Sequence, residues 1–99
     1  MTTITETMYT FLSEAEIDKH PEEILHTLQQ MEEYWERKQL YLESVCVHND
    51  LEEAEATLSN LRSAALCDDN DDFQAAHRLL QIQLEHISRS ESLRFGNIL

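Results

Sequence analysis

The chain is short of residues that turn a backbone, with one glycine, Gly96, and one proline, Pro21, in 99 residues. Sheet proteins of this size need a turn every ~8 to 12 residues, and tight turns draw on Gly, Pro, Asn and Asp, so this shortage argues against an all-β fold. Cysteine is scarce too. Cys46 and Cys67 are too few for the disulfide framework of a small secreted domain, and both read as small apolar fillers. No apolar run approaches the ~18 residues of a membrane span, and residues 1–13 lack the basic start and apolar stretch of a signal peptide, so the chain as given reads as soluble. Basic residues are the third shortage. Seven Lys plus Arg stand against 20 Asp plus Glu, for a formal charge of -13. Such a surface repels phosphate backbones and anionic lipid, which argues against nucleic-acid binding and direct membrane insertion, and it attracts a cation or a basic partner.

What is present is helical periodicity. Thr3 with Glu6 fits a capping box, and Ile4, Met8, Phe11 and Ala15 follow at helical spacing, so a first helix is expected over residues 3–18. Pro21 suits a first helical position, with Glu22 and Glu23 in the first turn. From there Ile24, Leu28, Met31, Trp35, Lys38, Leu42 and Val45 form one stripe, predicting a second helix of about 26 residues, ~39 Å long, with the Lys38 stem laid across the stripe. The next series is Leu51, Ala54, Leu58, Leu61 and Ala65. The step from Val45 to Leu51 rotates the stripe by about 120°, which predicts a break or bend at His48, Asn49 and Asp50, with Asn49 and Glu52 or Asp50 and Glu53 as cap pairs. Residues 67–72 are a loop signal, with Asp71 and Gln74 the expected cap of the last helix. That helix carries Phe73, His77, Leu80, Leu84 and Ile87, widened by Leu79 and Ile82, and should fade over residues 88–92 before an apolar tail of Leu93, Phe95, Ile98 and Leu99. The expected fold is therefore all-α: residues 1–99 form a single domain, a small antiparallel bundle of three to four helices with a long second helix and a docked apolar C-terminal tail.

The search for chemistry returns little. A carboxylate-bridged metal pair needs two Glu-x-x-His units, and only Glu23 with His26 fits. Aligning Asp68, Asn70 and Asp72 as an EF-hand puts Phe73 where glycine is required and Leu79 where the bidentate Glu belongs, leaving at most a looser cation site in the loop from Asp68 to Asp72. Cys46 and His48, two residues apart, point about 200° apart on a helix and cannot act as nucleophile and base. His48, His77 and His86 lie beside apolar stripes and read as hydrogen-bonded core residues. Trp35 reads as core packing, with a partner anchor as its functional alternative. No enzymatic activity and no cofactor are expected.

From Trp35 onward the residues His48-Asn49-Asp50-Leu51, Leu58, Leu61, Leu84-Glu85-His86-Ile87, Glu91 and Asn97-Ile98-Leu99, in that order and spacing, make the chain resemble a bacterial family of short helical proteins of unknown function. The resemblance implies an N-terminal anchor helix in many members, with the helical part outside the cytoplasmic membrane. No anchor precedes Thr3 in this sequence. Placement on the extracytoplasmic side is thus the expectation by resemblance, and a cytoplasmic soluble protein the alternative. The resemblance directs attention to a polar cluster in which His48 and Asp50 meet His86 or Glu91 and hold the tail around Asn97. The functional expectation is a non-catalytic helical interaction or structural module, with a basic protein partner or self-association. The alternative is a weak metal or cation sensor using His48, Asp50, His86 or the aspartate loop.

Overall fold

A computed structural model describes residues 3–16 and 19–96, with side chains through residue 92. The described residues form an all-α domain of five helical segments: α1 (Ile4–Glu14), α2 (Pro21–Arg37), α3 (Gln39–Val45), α4 (His48–Leu66) and α5 (Asn70–Gly96). The expected three to four helices become five because the long second helix divides at Lys38.

The capping box at α1 forms as expected. The Thr3 hydroxyl accepts the Glu6 amide at 3.2 Å, and the Glu6 carboxylate accepts the Thr3 amide at 3.4 Å. The helix stops at Glu14 rather than running towards residue 18, because the buried Ala15 leaves helical geometry at ψ 61°. In α2 the inward stripe of Ile24, Leu28, Met31 and Trp35 is buried. A straight continuation would place the Lys38 ammonium between Trp35 and Leu42 on that stripe, where desolvating it is unfavourable. The backbone instead turns at Lys38, with φ -99° and ψ 3°. Lys38 stays exposed with its ammonium 5.8 Å from the Tyr34 ring centroid, while Leu42 on α3 is completely buried.

The next break falls at Cys46 and Val47, both extended, slightly before the expected position. Asn49 and Asp50 do not cap α4, whose N-cap Val47 has no side-chain acceptor; the Asn49 amide turns to Glu53 at 3.3 Å. Between α4 and α5 the chain makes a Schellman turn. The Asp69 amide bonds the Ala64 carbonyl at 3.0 Å, the Asp68 amide faces the Ala65 carbonyl at 3.4 Å, and Asp68 takes the left-handed φ of 57°. The cap of α5 is Asp69, whose carboxylate accepts the Asp72 amide at 3.1 Å, not Asp71 as the sequence suggested. Nor does α5 fade over residues 88–92, since it continues to Gly96. Asn97, Ile98 and Leu99, and the side chains of Leu93 and Phe95, lie outside the described residues, and so does the expected docking of the tail.

Side-chain contacts give the directions of packing. Along α1, Thr5 meets Glu91, Tyr9 meets Gln81 and Leu12 meets His77, so α1 runs antiparallel to α5. Glu32 pairs with Arg62 and Trp35 with Glu55, so α2 runs antiparallel to α4. The core between them is built from Met8, Leu12, Leu28, Met31, Leu42, Leu61, Leu80, Leu84 and Ile87, each at most 1% exposed.

Candidate functional site

Two places in the fold gather polar groups in unusual settings, and a third combines a groove with exposed apolar side chains. The first is the junction of α1, α3, α4 and α5 around Glu91, a carboxylate only 1% exposed. It accepts the Ile4 amide at 3.3 Å, the Thr5 amide at 3.1 Å and the Thr5 hydroxyl at 2.7 Å. These are donors of the first turn of α1 that no helical carbonyl can reach, and the negative charge lies at the positive end of that helix. Glu91 is thus an N-terminal cap supplied from 87 positions away. The neighbouring Cys46 thiol is pushed up to about 11 by burial first, then by the Glu91 and Asp50 carboxylates. Held protonated in this way, Cys46 is a poor nucleophile.

The polar residues singled out from the sequence are distributed differently from the expected cluster. Asp50 and Glu91 both lie near enough to Cys46 to act on its thiol. His48 is on the surface, its Nε2 2.8 Å from the Glu52 carboxylate of its own helix, and His86 is exposed. The partners recorded for Glu91 are on α1, and neither histidine is among them. Thr5, which completes the junction, carried no signal in the sequence beyond its place in the first turn. Of the three histidines read as core residues, His77 is half-buried against the Leu12 carbonyl at 2.9 Å, while His48 and His86 face solvent. Asn97 is outside the described residues.

The second place is a cleft of about 250 Å³ between α2 and α4, lined by Glu32, Trp35, Glu55 and Arg62. Trp35 is 3% exposed and its indole N–H donates to Glu55 at 3.1 Å. The polar groups that line the cleft are engaged with one another, Arg62 pairing with Glu32 at 3.1 Å.

The third is the outer face of the α4–α5 hairpin. At 100° per residue, Leu79 and Ile82 lie roughly 200° and 140° around α5 from His77, which faces α1. They are 45% and 48% exposed. Beside Leu79 runs a groove of about 510 Å³, with Asn60, Ala64 and Cys67 on one wall and Ala75 and Leu79 on the other. Its loop end carries Asp69 and Asp72. Repulsion from Asp69, with smaller contributions from their hydrogen bond, desolvation and Asp71, raises the Asp72 carboxyl above the ordinary aspartate range. Helical periodicity places Leu79 and Ile82 on a widened inward stripe and suggests Cys67 as an apolar filler; the structure leaves the first two half-exposed and Cys67 exposed. The reason is that α1 covers the side of α5 that bears His77 and Gln81, away from these residues.

Among the described residues no three His, Cys, Asp or Glu side chains are arranged to hold a metal ion. None of the described helices is long and apolar enough to cross a membrane. No family model, no curated protein and no solved structure matches the chain.

Proposed function

We propose that the protein is a non-catalytic helical module that binds a protein partner across the outer face of the α4–α5 hairpin. The observation that carries this reading is the pair Leu79 and Ile82, both left about half-exposed, the first on the wall of an open groove, while the adjacent Leu80 is 1% exposed. Branched apolar side chains held rigidly on a helix, next to a concave surface, are what an interface core is made from. A partner of opposite charge fits better than a second copy, because two chains of formal charge -13 repel each other. The resemblance noted above supports a place outside the cytoplasmic membrane.

Comparative affinity capture tests this. Wild-type protein and L79D serve as parallel baits, after circular dichroism has established that both are folded. The reading predicts a protein retained by the wild type and lost with L79D. Equal retention by the two baits overturns it.

A further inference from the structure

The outer groove of the hairpin has an apolar α5 wall of Ala75, Ala76 and Leu79, a mixed α4 wall and an acidic loop end, and these properties together specify an occupant. We propose that the groove receives a basic amphipathic helix of a partner protein, its apolar side chains seated against Ala75 and Leu79 and its Lys or Arg residues against Asp69 and Asp72. This rests on the interaction-module reading above and adds the chemistry of the partner.

Charge complementarity carries the argument. The residues found to line the groove include Asp69 and Asp72 and no basic side chain. Asp71 lies near enough to act on Asp72 as well, so three carboxylates gather at the loop end, while Asp68 lines a separate pocket beside Lys19. Helix dipoles do not neutralise them. The end of α4 at Leu66 contributes about -0.5 of a charge and the start of α5 at Asn70 about +0.5, and at the same end of a hairpin these cancel. Repulsion from Asp69 raises the Asp72 carboxyl, the direction such crowding gives. A cationic side chain placed there removes that repulsion, whereas an acidic helix or a second copy of this chain adds to it. The groove also suits a helix in size, since about 510 Å³ accommodates several aliphatic side chains.

The test uses the full chain and three synthetic peptides of ~16 residues: a Leu/Lys helix with separate apolar and basic faces, the same composition scrambled, and a Leu/Glu helix. Two readouts are taken, affinity by calorimetry and the rate of alkylation of Cys67, which lines the groove and is exposed. Cys46, its thiol pushed up to about 11, reacts slowly at pH 8 and does not obscure the signal. The Leu/Lys helix is expected to slow Cys67 alkylation and to bind roughly tenfold more weakly to D69N/D72N, whose asparagine retains the cap. E33Q/E43Q, which removes the same number of charges from α2 and α3, is expected to bind like the wild type. Equal binding by the two double variants, binding of the scrambled peptide, or unchanged alkylation overturns the proposal. If that happens while L79D still loses the captured protein, the module reading stands with a partner of other chemistry. If L79D retains that protein, the module reading itself fails.

Discussion

At the scale of single residues, Glu91 is the side chain whose setting departs furthest from its ordinary chemistry. A carboxylate removed from water is unfavourable unless hydrogen bonds replace hydration, and here Ile4 and Thr5 supply three. Replacing one carboxylate oxygen by an amide turns an acceptor into a donor facing donors, so E91Q is expected to lower stability by about 1–3 kcal/mol in urea unfolding. In a double-mutant cycle, T5V should cost less in the E91Q background than in the wild type; additive losses would show that the two side chains are not coupled. Asp68 offers the opposite prediction. It occupies the left-handed position of a Schellman turn that usually takes glycine, so D68G should raise stability by up to about 1 kcal/mol. Cys46 adds a pH dependence. Its folded thiol is raised from the ordinary value of 9.0 to about 11, so the unfolded chain loses this proton first and stability should fall as pH rises from 9 to 11. In C46A the slope over that window should be shallower.

At the scale of elements, some local polar patterns were legible, but not those at Asn49 and Asp50, which do not cap α4, nor that at Asp71, since the cap of α5 is Asp69. The Thr3 and Glu6 capping box, Pro21 at the start of α2, and the loop before α5 each follow from residues within a few positions. What local pattern could not show was how a neighbour would cover each face. The stripe from Ile24 to Val45 is continuous, yet burying both Trp35 and Leu42 without burying the Lys38 ammonium requires a turn between them. The polar junction was legible only in part, since Glu91 could be named but its partners, at the far end of the chain in Ile4 and Thr5, could not. Leu42 is the buried residue of α3, so L42A is expected to cost about 2–5 kcal/mol and to speed amide exchange in α3 more than in α4. Equal acceleration in both helices would mean that α3 is not separately anchored.

At the scale of the whole molecule, the formal charge of -13 opposes compaction while the nested stripes of five helices favour it. Screening relieves the first without touching the second. Raising ionic strength from about 0.01 to 0.1 M shortens the Debye length from about 30 to 10 Å, so Tm should rise over that range. The same charge should make association with a basic partner weaken with salt, even where the contact itself is apolar.

The proposed role needs α5 to turn one face into the core and to leave the other free for a partner. Leu79 and Leu80 are adjacent leucines on these two faces, 45% and 1% exposed. Equilibrium urea unfolding of L79D and L80D therefore tests this requirement most directly. L79D is expected to lose no more than about 1.5 kcal/mol, and L80D, which buries an unpaired carboxylate in the core, to lose more than about 4 kcal/mol or fail to fold. Comparable losses in the two variants would contradict the account, because they would mean that the outer face of the hairpin is already buried within the domain.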